Sequence, residues 1–417
     1  MTDWFNTRMK LMFTLALLSF NVHASSELVL QLETSMRYES NPLFLSRDVE
    51  AGNAAENGGR GDRALASDVR FLVTHALYSP ETRLVFEGQL GQRDYARLES
   101  LNHQPNAYRA GLEWRLGSLW NGAVFHAQDQ KLFDYRDGAL TSREMVHRTQ
   151  DRMAVSLNVT PDFAIPVTVT NQRVTYDTVD NAFNENKNQS FDAGVTWRSG
   201  TNSKVGSGVR LTHVRFTNRT LLQIANLDEQ YRDQELYLEA DWQYSIKTRM
   251  GGRLAALQRE YASLTNLNFS ATTASFSLTH DYSPKTNVEF EAWNRPSDSV
   301  NVATLYSIVR GAQLALKWQA TAKTRLSMQV TRESERYQGL GIASAAFSPV
   351  GGRIRAGASG VYAFSRDLNL YIDGFTEEVN RGDLGASSVQ HTLAVGLEYT
   401  FENVSGLAKR SGLGARR

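Results

Sequence analysis

The chain has 417 residues, with 45 basic and 44 acidic side chains, no cysteine and 41% hydrophobic residues. A formal net charge of +1 gives no broad attraction to polyanions, which argues against a nucleic-acid-binding protein. The absence of cysteine excludes disulfides, thiolate zinc sites, iron–sulfur clusters and thiol nucleophiles. Length alone is compatible with two or three globular domains or with one large barrel.

The first residues have the pattern of a secretory signal peptide. Arg8 and Lys10 precede the apolar run 11–18, and Val22-His23-Ala24 has the composition of a cleavage site. The apolar run is too short to span a bilayer of about 30 Å, which disfavours a membrane anchor. We therefore expect residues 1–24 to be removed and the mature chain to be exported.

Farther along, apolar and polar residues alternate with a period of two over stretches of about ten residues, as in strands with two different faces. The clearest stretches are Tyr108–Leu116 and Glu235–Tyr244. Others are residues 191–197, 274–282, 312–318, 354–364 and 393–401, with weaker alternation at 27–40, 250–261 and 329–337. The pattern predicts about 18 antiparallel strands, with about 16 as the alternative.

The connections between these strands alternate between tight turns and long polar loops. Ser79-Pro80-Glu81-Thr82 and Ser283-Pro284-Lys285-Thr286 are typical of the tight turns. The long loops include residues 41–61, 179–189, 218–232 and 339–351. A propeller would need four short strands in each repeat, whereas each repeat here contains two long ones. The sequence therefore predicts an all-β fold, a transmembrane antiparallel outer-membrane barrel over residues 25–401, followed by a basic tail at 402–417.

Aromatic residues support this prediction, because they recur where the even strands approach the tight turns. Such a girdle is expected at the inner interface of the membrane. Its members are Trp114, Trp197, Trp242, Tyr244, Tyr282, Trp318, Tyr362, Phe364, Tyr399 and Phe401. The last strand ends on an aromatic residue, which resembles the signal read by the outer-membrane assembly machinery. We therefore expect the protein to lie in the bacterial outer membrane, with outer-membrane lipid and that machinery as its partners.

Three segments carry a family resemblance. Arg37–Phe44, Ala193–Trp197 and Trp318–Thr324 resemble the start and the strand-to-turn units of the EpsL type, the outer-membrane β-barrel proteins of exopolysaccharide biosynthesis operons. Pro42 departs from the family pattern. The resemblance covers the barrel and implies a role in exopolysaccharide biosynthesis or export, as a polysaccharide-permeable channel or an accessory. It also implies secreted polysaccharide and periplasmic or inner-membrane secretion components as partners.

Two alternatives to polysaccharide export remain open. One is a general or sugar-uptake porin, and the other is a structural or adhesive outer-membrane barrel. Neither the resemblance nor the motifs supply a catalytic residue, so we expect no enzyme activity. Glu239 and Asp241 lie two positions apart on one strand face, as in a glycosidase pair, but paired carboxylates also occur in pores. The histidines lack metal-ligand spacing, and no cofactor or metal is expected.

If the apolar faces contact lipid, the opposite faces line the interior. The pore-lining candidates are Arg83, Glu87, Arg109, Glu113, Arg115, Glu235, Glu239, Asp241, Glu289, Glu291, Lys317, Arg353 and Arg355. In a barrel of about 18 strands, the early arginines would face the acidic residues of the middle strands across the pore, creating a transverse field. The simpler interpretation is that mixed charges keep the channel hydrated. A lining of both signs favours a neutral or weakly charged polysaccharide.

Four aromatic residues on the same inner faces are candidates for stacking on sugar rings. They are Tyr95, Tyr237, Trp293 and Tyr371. The alternative is that these rings pack against loops or a plug.

Overall fold

The computed structural model describes residues 26–45, 61–134, 143–179, 181–201, 203–298, 304–339, 350–380 and 387–404. The expected signal peptide, much of the predicted loops 41–61 and 339–351, and the tail beyond Val404 lie outside these ranges.

The described chain forms eighteen strands. Their bounds are β1 Ser26–Glu39, β2 Asp62–Ser79, β3 Thr82–Tyr95, β4 Asn106–Leu116, β5 Trp120–Leu132, β6 Met145–Asn158, β7 Phe163–Tyr176, β8 Asn186–Arg198, β9 Lys204–Phe216, β10 Gln230–Ser245, β11 Thr248–Tyr261, β12 Phe269–Ser283, β13 Thr286–Asp298, β14 Thr304–Gln319, β15 Thr324–Gly339, β16 Val350–Ala363, β17 Leu368–Asn380 and β18 Ser387–Glu402. One short helix, α1 (Leu221–Leu227), lies between β9 and β10. Among the described residues, no helix is long and apolar enough to cross a bilayer.

The strands close into a single antiparallel barrel. Each strand pairs with its neighbours in sequence, and β1 pairs with both β2 and β18. Val29 lies opposite Glu402, and the side chain of Asn403 accepts a 2.7 Å hydrogen bond from the amide of Leu28. The predicted fold class and the larger of the two strand counts are confirmed. Closure satisfies the backbone groups of every strand edge, as a membrane-spanning sheet requires.

The two faces of each strand differ as the alternation predicts. On β18, Leu393, Val395 and Leu397 are 43–49% exposed. The alternate residues Ala394 and Glu398 are only 4–7% exposed. Apolar side chains therefore face outward and polar side chains face inward, the reverse of a soluble protein. This arrangement is expected when lipid surrounds the barrel and water fills it.

The expected aromatic girdle lies on the outer face beside the tight turns. Trp242, Trp318 and Tyr399 are all exposed there. Trp120 and Phe163, at the starts of β5 and β7, join the same girdle and were not among the predicted members. Trp293 points into the barrel, because the alternation along β13 places Ala292 and Asn294 on the outer face.

Two of the long loops have the same construction. The buried carboxylate of Asp62 accepts the amide of Leu98, and the buried carboxylate of Asp228 accepts the amide of Leu264. In each loop a 3₁₀ turn follows, and an asparagine side chain then accepts the amide at the end of the preceding strand. Corresponding residues of the two loops are separated by the same number of positions in the sequence. The pairs are Tyr95 and Tyr261, Leu98 and Leu264, Leu101 and Leu267, and Asn102 and Asn268. The buried polar groups therefore hold both loops in a defined shape.

At this loop end the interior becomes apolar. Leu101, from the β3–β4 loop, packs against Val146 on β6 and Val174 on β7, so this loop folds into the mouth of the barrel. A second cluster contains Val214, Phe216, Tyr231 and Tyr261, with Leu264, Leu267 and Phe269 packed against it. Both clusters place packed apolar side chains inside the barrel on the side of the long loops.

Candidate functional site

The predicted pore-lining residues lie on the inner face of the wall, where most of them form ion pairs with the adjacent strand. On β3 and β4, Arg83 contacts Glu113 at 2.8 Å and Arg109 contacts Glu87 at 3.1 Å. Arg115 contacts Glu81 of the neighbouring tight turn at 2.7 Å. These charges are therefore compensated within a few ångströms of where they stand.

The same lateral pairing continues along the middle strands. Arg253 on β11 contacts Glu235 at 3.1 Å and Glu239 at 3.8 Å. Asp241 forms an ion pair with Arg249. Since Glu239 and Asp241 each contact an arginine, they resemble members of a structural charge network more than a glycosidase acid–base pair.

The late strands repeat the arrangement. Lys317 contacts Glu289 at 2.7 Å, and Arg353 contacts both Glu333 and Glu377. Arg355 lies over the ring of Phe375, 4.0 Å from its centroid.

The expected transverse field is therefore not built from these residues. Arg83, Arg109 and Glu289, which were expected to face opposite charges across the pore, have partners on adjacent strands instead. The register brings neighbouring side chains within hydrogen-bond distance, whereas the opposite wall is a barrel width away. The paired charges keep the wall hydrated without separating charge across the pore.

Two of the sugar-stacking candidates do not offer a free ring. Tyr237 is 5% exposed, lies against Gly208 of β9, and has the Arg253 guanidinium 3.8 Å from its ring centroid. Tyr371 is 2% exposed and lies against Gly396 of β18. These rings cover cross-strand glycines and so stabilise the sheet, which corrects the expectation that they stack on sugars.

The other two candidates differ from each other in position. Tyr95 lies at the mouth, where its ring stacks with His103 at 6.5 Å between centroids and its hydroxyl donates to Glu39 at 3.3 Å. Trp293 lies against Gly311 of β14 and also lines a cavity of the interior. Trp293 is therefore the aromatic candidate best placed to contact a solute.

That cavity has a volume of about 770 Å³ and lies against β7 to β13 on the side of the tight turns. Four basic and three acidic side chains line it, together with Trp293. The charged residues are Arg198, Lys204, Arg253, Arg295, Glu239, Asp241 and Glu291. The lining therefore offers both donors and acceptors to a solute of small-molecule size.

Small side chains create this space. Gly206 on β9, Gly251 on β11, and Ser275 and Ser277 on β12 all line the cavity. Without large side chains, these strands leave room that the longer charged residues around them do not fill. The inner wall is thus indented at this level instead of being uniformly packed.

The alternation in the sequence predicts Glu239, Asp241, Glu291 and Trp293 as interior residues but does not identify the basic half of the lining. Arg253 lies in β11, where Gly251 and Gly252 obscure the alternation that would assign its face. Lys204, Arg198 and Arg295 lie near strand ends, where the alternating pattern is shortest. Extending the period-two pattern from Arg249 through Arg253 to Arg259 would have assigned these three arginines to the inner face of β11.

No family model matches the chain, and no curated protein matches it. The solved structure of OccK2 (OpdF) from Pseudomonas aeruginosa has a TM-score of 0.52 at 9% identity, covering 91% of this chain and 98% of that one. OccK2 in complex with glucuronate has a TM-score of 0.51 at 10% identity, with the same coverage. OccAB3 of Acinetobacter baumannii has a TM-score of 0.49 at 9% identity, covering 91% of this chain and 100% of that one.

At these identities the likeness is one of fold. The chain is a closed 18-stranded antiparallel barrel of the outer-membrane porin type. Nothing in the comparisons supports the EpsL-type resemblance.

Proposed function

We propose that this chain is a bacterial outer-membrane porin that admits small water-soluble solutes by passive diffusion. The observation that carries the proposal is the charged inner wall of a closed barrel, with an indented cavity of about 770 Å³ lined by side chains of both signs. Such a wall lowers the cost of moving a hydrated solute through the membrane. The solved structures that share this fold include outer-membrane porins, and passive diffusion requires no catalytic step.

The cavity favours solutes that carry hydroxyl groups and a carboxylate. Arg198, Lys204, Arg253 and Arg295 supply donors for a carboxylate, and Glu239 and Trp293 supply an acceptor and a ring face for a hydroxylated skeleton. OccK2, which shares the fold, has been crystallised in complex with glucuronate, an acidic sugar. Small acidic sugars are therefore the first solutes to test.

Polysaccharide export, which the family resemblance implies, is the less supported candidate. A secreted polymer needs a continuous hydrated path, whereas the two apolar clusters pack inside the barrel on the loop side. The β3–β4 loop contributes Leu101 to one of these clusters and is held by the buried carboxylate of Asp62, so opening a wide path there would disrupt packed structure.

Liposome swelling tests the proposal directly. Proteoliposomes containing the refolded barrel are exposed to glucose, glucuronate, and a series of neutral oligosaccharides of increasing length. We expect rapid swelling with the monosaccharides and a sharp loss of permeation as the oligosaccharide lengthens. Equal permeation of long oligosaccharides would contradict the porin proposal.

A deletion strain separates the two candidates in cells. Loss of a porin should slow uptake of a permeant acidic sugar and leave secreted polysaccharide unchanged. Loss of secreted polysaccharide with normal uptake would favour export instead.

A further inference from the structure

Three basic residues stand side by side on the outer face of the barrel, at the loop ends of β7, β8 and β9. Arg173 lies directly opposite Lys187, and Lys187 lies directly opposite Arg215. All three side chains are exposed. We call them the basic row. Like charges in directly opposed positions of a sheet destabilise it, so this row needs a compensating anion.

The described protein supplies that anion at one end only. Glu229 contacts Arg215 at 2.7 Å. Among the described residues, no ion pair to Arg173 or Lys187 is found. The centre and one end of the basic row therefore present charge to the surroundings of the barrel.

The rows below the basic row change from polar to apolar. Asn171, Gln189 and His213 form the next outward row, in register with one another. Below them, Val169, Phe191 and Leu211 are 45–47% exposed. A ligand on this face thus meets cations first, hydrogen-bonding groups next and an apolar surface beneath.

The depth of the basic row can be estimated from the aromatic girdle. Trp197 of the girdle and Lys187 of the basic row lie on β8, and their sequence separation corresponds to about 25 Å along the barrel axis at the usual strand rise and tilt. The apolar band of such barrels is also about 25 Å tall. The basic row therefore lies at the outer boundary of the membrane, where lipid headgroups begin.

We propose that the basic row binds the phosphate of a phosphorylated lipid in the outer leaflet, with its acyl chains packed along Val169, Phe191 and Leu211. A phosphate carries enough charge and enough acceptor oxygens to bridge neighbouring cations, and arginine matches its geometry. The apolar rows continue directly beneath the cations, which favours a lipid over free phosphate. The site lies outside the barrel and is independent of solute passage.

The test uses the purified full-length mature barrel in detergent, with bisphosphorylated lipid A, dephosphorylated lipid A and inorganic phosphate as separate probes. Binding is measured by native mass spectrometry and by the shift in melting temperature. We expect lipid A to bind at least about tenfold more tightly than its dephosphorylated form, because the charge-assisted hydrogen bonds are lost with the phosphate. The same advantage should disappear in the Arg173→Gln/Lys187→Gln variant.

The matched control is Arg310→Gln/Arg332→Gln, which removes two outward arginines whose opposed residues are uncharged. Arg310 lies opposite Ser334, and Arg332 lies opposite Ala312 and Ile354. This control should bind lipid A as the unmodified protein does. Unchanged lipid A binding by the Arg173→Gln/Lys187→Gln variant overturns the proposal, and so does equal loss in the control.

Inorganic phosphate distinguishes the two sources of the ligand. If it binds as tightly as lipid A, the basic row is a site for a free anion and the lipid proposal is wrong. In the absence of lipid, the double variant should melt at the same temperature as the unmodified protein or higher, because opposed like charges have been removed. If that variant does not fold, Lys187→Met replaces it, and unchanged lipid A binding by Lys187→Met then overturns the proposal.

Discussion

The substitution Arg253→Gln tests whether the cavity charge controls ion selectivity. The Arg253 guanidinium lies between Glu235 at 3.1 Å and Glu239 at 3.8 Å and covers Tyr237. The cavity lining has four basic and three acidic side chains, so the substitution changes its formal charge from positive to neutral. The substitution also removes the positive charge that lies 3.8 Å from Glu239, so the negative charge of Glu239 is less compensated. We expect the channel to become more selective for cations.

The size of the effect follows from Coulomb's law. A unit charge about 4 Å from a permeating ion is worth about 1 kcal/mol in bulk water, which corresponds to about a fivefold change in the relative population of anions. The Arg253 side chain is 22% exposed, so its surroundings screen it less than bulk water does. About fivefold is therefore a lower estimate of the change in the anion-to-cation permeability ratio.

The assay is the reversal potential of single channels in a planar bilayer under a potassium chloride gradient. Arg109→Gln is the matched control, because Arg109 also contacts a cross-strand glutamate and lies over an aromatic ring, 3.5 Å from the Phe125 centroid, but does not line the cavity. We expect a clear shift for Arg253→Gln and a smaller one for Arg109→Gln. Equal shifts in both variants would refute the assignment of selectivity to the cavity.

Three further predictions concern the aromatic cover, a loop and pH. Gly311→Ala should lower single-channel conductance, because the alanine Cβ would lie 2.3 Å from the Trp293 ring and push that ring into the cavity. The double variant Gly311→Ala/Trp293→Ala should restore conductance. Asp228→Ala should cost about 2–4 kcal/mol in urea unfolding, since the carboxylate accepts several backbone amides, whereas Asp228→Gly should cost less because the backbone φ of 60° suits glycine. Burial lowers the pKa of His103 from its ordinary 6.5, so the unfolded chain takes up a proton first as pH falls below 6.5. Loop protection in hydrogen exchange should therefore be full above pH 6.5 and decline below it, and His103→Gln should abolish the decline.

The barrel could be predicted from the sequence because its signals are local. Strand alternation has a period of two, so the face of Glu239 or Leu393 follows from its position in the strand alone. Short turns and long loops alternate along the chain, and this places all tight turns at one end of the barrel. The outward aromatic residues then mark the membrane boundary.

The site could be predicted only in part, because it depends on how neighbouring strands are aligned. The alternation placed Glu239 and Trp293 inside but did not show that a cavity forms beside them. That cavity exists because Gly251 and Ser277, from different strands, lie directly opposite each other. Likewise, Tyr237 was assigned to the correct face, but its cover of Gly208 follows only from the register of β9 and β10.

The sequence by itself thus determined the antiparallel barrel class, the face of most strand residues and the end of the barrel at which each turn lies, since all three depend on residues close together in the chain. The tertiary structure decided which charges meet. The hydrogen-bond register places Arg109 directly opposite Glu87. It places Lys317 opposite Asn287, from where its side chain reaches Glu289 on the diagonal. The same register aligned Arg173, Lys187 and Arg215 outside the barrel. Strand register depends on closure of the whole sheet, and no local stretch of sequence contains that information.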